Sequence, residues 1–332
     1  MQNRNYFGHE SQLYRVEEHR LVGGKGDNMR LFEVNNGSGL EFTISADRAA
    51  DISRLSYQGM NMSYFSVCGY SNSSYYDKDA LNFLKTFQCG FLTTCGLQSM
   101  GTPSEYEGTA YGLHGTISHI PAEHISYDIS DDGEIVIKAS VYDACIFSQK
   151  VRMDRLYKCA YGSNKLIIED TFTNEGSSKT PFVLLYHMNI GYPLLSEDAL
   201  VSVSSNKVTA RNEEAVSGIN EWNKIISPTP NYEEQCFYHT FSEDTATAKI
   251  FNPSISKGLA IHFDPKILPI MCEWKMMGEK DYVLGLEPAN NYLEGRAYLE
   301  DQGKMTYLNP GEKFKSSITV EFFDNQSLWE NA

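Results

Sequence analysis

The chain holds 332 residues, with 28 Lys and Arg against 43 Asp and Glu, a formal net charge of −15. That acidic excess repels phosphates, so neither nucleic acid nor an anionic membrane surface is an expected partner. Apolar residues at 41% and charged residues at 21% match a globular protein and exclude disorder. With 21 Tyr and 17 Phe, aromatics reach 12%, which favours strands and suits a surface that touches ring-shaped ligands.

Along the chain, no apolar h-region follows Met1-Gln2-Asn3-Arg4, so no secretory leader is expected. The most apolar runs, 182–186 and 267–272, fall far short of the ~20 residues of a membrane helix. The seven cysteines (Cys68, Cys89, Cys95, Cys145, Cys159, Cys236 and Cys272) are widely spaced, odd in number and without a Cys-x-x-Cys pair. They fit neither a disulfide framework nor a zinc knuckle; buried reduced thiols in a cytoplasmic protein are expected. No P-loop, Rossmann glycine fingerprint or kinase motif set is present.

Residues 1–30 are polar and mixed, and are expected to form an N-terminal segment packed on the main body. Period-2 alternation then dominates. Leu40, Phe42 and Ile44 share one face, as do Ile135, Ile137, Ala139 and Val141, and near the end Phe314, Ile318, Val320 and Phe322. Turn signals separate such runs: Asn36-Gly37, Asp131-Asp132-Gly133, Asn174-Glu175-Gly176 and Asn309-Pro310-Gly311. Only 77–87 and 210–223 read as short helices. No composition shift marks a boundary, so the expectation is a single all-β domain over 1–332, a large antiparallel β-sandwich.

Several places depart from plain strand composition. Arg48 and Asp51 either bind sugar hydroxyls or close a strand end. The run Phe91-Leu92-Thr93-Thr94-Cys95-Gly96-Leu97 precedes Tyr111-Gly112-Leu113-His114-Gly115, where the glycines permit close backbone approach to the imidazole. His119, Glu123 and His124 lack metal spacing and read as solvated loop. His187 ends an almost wholly apolar run, on the face of Val183, Leu185 and Asn189; it is either a satisfied core histidine or an acid/base. Trp274 either stacks on a sugar ring or fills a core. Glu287, between Leu286 and Pro288, is either a general base tuned by burial or an ion-pair partner of Arg296.

Taken in order, Phe91–Leu97, Leu113-His114-Gly115, Tyr186-His187-Met188-Asn189-Ile190-Gly191-Tyr192-Pro193 and Gly285-Leu286-Glu287-Pro288-Ala289-Asn290 resemble the aldose 1-epimerase (galactose mutarotase-like) superfamily. The resemblance covers roughly residues 30–325. It implies a large antiparallel β-sandwich and α/β anomer interconversion by general acid–base ring opening, without metal or organic cofactor. By the same resemblance His187 is the general acid, Glu287 the general base and His114 a group at the ring oxygen. Glu234, in Glu234-Gln235-Cys236-Phe237, stands where mutarotases place a substrate-binding carboxylate, and Arg48, Trp274 and Asn189 are expected beside the sugar. The run 251–259 resembles the strand-turn-strand that follows that carboxylate in mutarotases and anchors its register. Two departures mark a divergent branch. The arginine that mutarotases carry before their first histidine has no counterpart, and Met-Asn-Ile-Gly-Tyr-Pro follows His187 in place of a Tyr-Phe-Asn-Leu type run. The expected partner is a small sugar, with self-association left open. Two other readings stand beside this one: a non-catalytic carbohydrate-binding protein on the same fold, and a glycoside hydrolase pairing Glu287 with Glu234.

Overall fold

Strands are the main regular element of the computed structural model, which describes residues 4–332. The alternating runs form an eight-stranded antiparallel sheet in the order Leu200–Val203, Ala246–Asn252, Lys257–Phe263, Lys313–Phe323, Lys165–Asn174, Lys150–Ala160, Glu134–Ala144, His124–Ile129. A six-stranded sheet runs Lys207–Ala210, Gln235–Thr240, Ile270–Met277, Tyr282–Ala289, Val183–Ile190, Leu92–Leu97. A five-stranded sheet occupies the N-terminal part and ends at Met60–Asn61. Of the segment expected over 1–30, residues 1–3 lie outside the described residues, while Arg15–Arg20 is the edge strand of this third sheet, paired with Arg30–Asn35.

One core joins all three sheets. Ile135, Ile137, Ala139 and Val141 enter it from one side, Phe42 and Ile44 from another, and Leu184, Tyr186 and Met188 from the six-stranded sheet. Period-2 geometry explains the selection, because successive side chains on a strand point to opposite faces. The Val183–Ile190 strand is buried on both faces. Its other face sends Val183 and Leu185 into a second apolar cluster with Phe83, Phe87, Cys236 and Cys272. The six-stranded sheet is therefore covered twice, by the eight-stranded sheet behind it and by loops in front.

Helix is scarce, and the two expected helices shrink. Within 77–87 only the 3-10 turn Asn82–Lys85 forms, and within 210–223 the α-helix Glu213–Gly218 runs into the 3-10 turn Ile219–Glu221. Both segments lie against the sheet as short irregular covers, where tertiary packing outweighs a weak local propensity. Among the described residues no helix is long and apolar enough to cross a membrane.

Candidate active site

The front face of the six-stranded sheet carries a cavity of about 340 Å³. That volume lies at the lower end of the ~300–1,000 Å³ typical of small-molecule sites. His187 and Glu287 form its floor. Their strands pair with Leu185 opposite Ala289 and Asn189 opposite Gly285, which puts His187 directly across from Glu287. His187 Nδ1 lies 3.1 Å from Glu287 Oε1, and both side chains are buried. Gly285 makes room for this. A Cβ on Gly285 would sit 2.2 Å from Glu287 Oε1, so only glycine lets the carboxylate lean back along its own strand toward the histidine.

Neither His187 Nδ1 nor Glu287 Oε1 has an aligned hydrogen-bond partner, and His114 Nδ1 shares that condition. Buried polar atoms are nearly always paired, so three orphaned ones around one cavity floor mark a place prepared for a ligand. Burial pushes the Glu287 carboxyl well above the ordinary carboxylate range; Cys236 and Glu234 add to the rise and Arg211 opposes it. Burial likewise lowers the His187 imidazole to about 3. His114 is also driven well down, first by burial and then by His187 and Arg211. Burial thus favours the neutral form of all three groups, unlike a solvated charge cluster.

Aromatic rings fix the histidines. The His114 ring meets His187 edge-on at 5.3 Å, while Phe87 lies 5.1 Å and Trp274 5.4 Å from His187. The His114 backbone takes the left-handed conformation, φ 61°; its N–H donates to the Gly101 carbonyl and its own carbonyl accepts from Gly96 N–H. The close approach permitted beside His114 is made by the chain itself: a Cβ on Gly115 would meet the Gly96 carbonyl oxygen at 2.4 Å. Trp274 Nε1–H donates to Glu234 Oε2 at 2.6 Å, so these two expected ligand-binding residues reach the cavity together as one unit.

His114, His187, Glu234, Trp274 and Glu287 therefore line a single cavity, and Arg48 and Asn189 do not. Arg48 is buried elsewhere. Its Nε donates to the Ser118 carbonyl, Nη1 to the Ser71 and Thr86 carbonyls, and Nη2 lies 2.9 Å from His119 Nε2. With every arm engaged, it ties loops together and has nothing left for a sugar. Arg48→Lys is expected to lower the unfolding free energy by ~1–3 kcal/mol through carbonyls left unpaired, as read by chemical denaturation, with the KM for sugar unchanged. Asn189 spends its amide N–H groups on the Gly90 and His187 carbonyls and so braces the strand beside His187.

Other expectations are corrected in the same way. His119 is not solvated but buried, stacked on Tyr76 at 3.8 Å. Arg296 does not pair with Glu287; it holds Glu300 at 2.8 Å and the Gln98 carbonyl. Asp51 turns to Arg155 and Thr94. Cys145 is exposed and Cys68 half-buried, while the other five thiols are buried.

Arg211 is the charged lining residue that sequence reading missed. It follows the Lys207–Ala210 strand, in a stretch assigned to helix. Its Nε donates to Tyr238 Oη at 3.0 Å and to Glu294 Oε2 at 3.1 Å, and Nη2 donates to Thr102 Oγ1 and the Leu293 carbonyl. It brings a guanidinium to the cavity. Glu294 balances its charge.

The multi-sheet antiparallel sandwich is the galactose mutarotase-like fold. A candidate aldose 1-epimerase from Klebsiella pneumoniae superposes with a TM-score of 0.91 at 24% identity, over 97% of this chain and 88% of that one. A galactose mutarotase-like protein from Clostridium acetobutylicum gives 0.68 at 13% identity, over 94% and 99%. A galactose 1-epimerase from Lactobacillus acidophilus gives 0.60 at 13% identity, over 94% and 100%. The chain belongs to the family described as Domain of unknown function (DUF4432), whose model matches residues 26–322. No curated protein matches the sequence.

Proposed function

We propose that this chain is an aldose mutarotase that interconverts the α and β anomers of a sugar by acid–base ring opening. The observation that carries this reading is the buried contact between His187 Nδ1 and Glu287 Oε1 on the cavity floor, with both atoms lacking an aligned partner. The names of the solved relatives support it.

In the proposed reaction Glu287 accepts the proton of the anomeric hydroxyl. The C1–O1 bond becomes a carbonyl as the C1–O5 bond breaks, and its electron pair goes to O5. His187, whose Nδ1 faces Glu287, presents its other ring nitrogen to O5 and supplies the proton. Rotation about C1–C2 exposes the opposite face of the aldehyde. Closure then reverses each proton transfer, returning one proton to His187 and the other to O1. Each positioned acid or base typically contributes ~10²–10⁴-fold, and the closed floor holds the reacting atoms together. His114 flanks the ring oxygen, while Glu234, oriented by the Trp274 indole, accepts from a sugar hydroxyl. The natural partner is accordingly a small sugar. Five buried free thiols support a reducing, cytoplasmic setting.

Polarimetry of freshly dissolved α-aldoses tests the reading. The optical rotation is expected to relax faster in proportion to added protein for at least one sugar of a broad neutral panel. Saturable sugar binding with relaxation at the buffer rate throughout overturns it in favour of a binding protein.

A further inference from the structure

If the mutarotase reading holds, the order of strands under the cavity fixes the direction in which the sugar lies. Glu287 stands on Tyr282–Ala289, and His187 stands on the next strand, Val183–Ile190. A sugar with O1 at Glu287 and O5 at His187 therefore crosses from one strand to the other. On the Glu287 side follow Ile270–Met277 and Gln235–Thr240. Here Trp274, Glu234 and Arg211 offer polar groups to the ring hydroxyls at C2 and C3. On the His187 side C5 is bonded to O5, and its exocyclic C6 extends past the histidine toward Leu92–Leu97 and the loops beyond it.

That far end is apolar. Phe87 lies edge-on to His187 at 5.1 Å, and Leu81, Leu84 and Leu113 complete the wall. Leu81 and Leu84, one 3-10 turn apart, stand 56% and 50% exposed at the rim, where their apolar surface is open to a ligand. Among the described residues lining the cavity, Arg211 is the sole Lys or Arg, and it is already paired with Glu294. A methyl at C6 would bury apolar surface against this wall, whereas a phosphate or carboxylate there would meet no Lys or Arg on it.

We propose that the site takes an uncharged 6-deoxyhexose, with its C6 methyl seated against Leu81, Leu84, Phe87 and Leu113. This rests on the mutarotase reading and adds the substrate class to it. A hydrophobic contact of this size separates two substrates by ~10–200-fold in kcat/KM, far less than a buried hydrogen bond would.

The test measures exchange between anomeric proton resonances for matched galacto, manno and gluco sugars, each as the 6-deoxy compound, the 6-hydroxy parent and the 6-phosphate, together with the pentoses that lack C6. One 6-deoxyhexose is expected to exceed its own 6-hydroxy parent at least ~10-fold in kcat/KM and to exceed its 6-phosphate by more. Leu84→Asn and Leu81→Asn, both at exposed rim positions that tolerate polarity, are expected to narrow the 6-deoxy to 6-hydroxy ratio. A parent hexose, a 6-phosphate or a pentose that matches or exceeds every 6-deoxy sugar overturns the inference while leaving the mutarotase reading in place. So does a ratio unchanged in both variants. Exchange at the buffer rate for every sugar removes the mutarotase reading, and this inference with it.

Discussion

Glu287→Gln is expected to slow anomer interconversion by at least ~100-fold, and His187→Asn to do the same, with the fold of each variant intact. Glutamine keeps the size of the side chain above Gly285 but has no oxygen that accepts and returns a proton. Asparagine keeps a polar group facing Glu287 but does not shuttle a proton to O5. Because the two groups act as one unit across a 3.1 Å contact, the double variant is expected to be little slower than either single one. The pH dependence follows from the proton count. The pair works while it holds one exchangeable proton, on whichever partner. A second proton blocks the base, and burial sets that event near 3, where His187 is protonated. Loss of the last proton removes the acid, and burial moves that event well above the ordinary carboxylate range at Glu287. The rate of sugar interconversion is therefore expected to be bell-shaped in pH, with its two limbs belonging to the pair. An alkaline limb at the ordinary carboxylate value would remove Glu287 from the mechanism.

Arg155→Met is expected to destabilise the protein by ~3–5 kcal/mol, the usual cost of removing one partner from a buried ion pair. Arg155 is enclosed between Asp51 at 2.6 Å and Asp170, which it grips through Nε at 2.9 Å and Nη2 at 2.6 Å. Thr94 donates to both Asp51 oxygens, and Tyr186 Oη–H donates to Asp170. The cluster thereby fastens strands of all three sheets together, directly behind Thr94 and Tyr186, which pair in register beside His187. Methionine leaves two buried carboxylates facing each other without a cation. Burial already lifts Asp51 to about 6 with Arg155 in place, and removing the arginine lifts it further. A carboxyl whose folded pKa lies above its unfolded value favours the folded state below the unfolded pKa, and that contribution is lost as pH rises through the folded value. The stability deficit of Arg155→Met against wild type is therefore expected to be smaller at pH 5 than at pH 8, as measured by urea denaturation. An equal deficit at both values would show that the carboxylates are not what the arginine compensates.

The sandwich was legible because alternation is a local property: Ile135 to Val141 and Val183 to Asn189 declare their faces from spacing alone. His187 and Glu287 were legible for a related reason. Each is a titratable residue inside an apolar strand, where burial has to be compensated or used, and Gly285 two residues before Glu287 is the local mark of the space its carboxylate occupies. Arg48 was misplaced because its partners, at 71, 86 and 118–119, lie far away in sequence. Ala49 and Ala50, both with positive φ near 50°, turn the chain there and send the guanidinium inward, which no spacing pattern conveys. His119 was misjudged for the same reason, since Arg48 and Tyr76 bury it from outside its own segment. Arg211 escaped notice because it belongs to no motif. It reaches the cavity only because the strand before it pairs with Gln235–Thr240 and Glu294 waits across the opening.

The most direct measurement is saturation transfer between the α and β anomeric proton signals of a neutral aldose already at equilibrium, with the protein present in catalytic amount. The expected result is an exchange rate that rises linearly with wild-type protein and stays at the buffer value with Glu287→Gln. Saturable binding of sugars by the wild type, with exchange no faster than in buffer for any of them, would contradict the assignment of His187 and Glu287 as an acid–base pair.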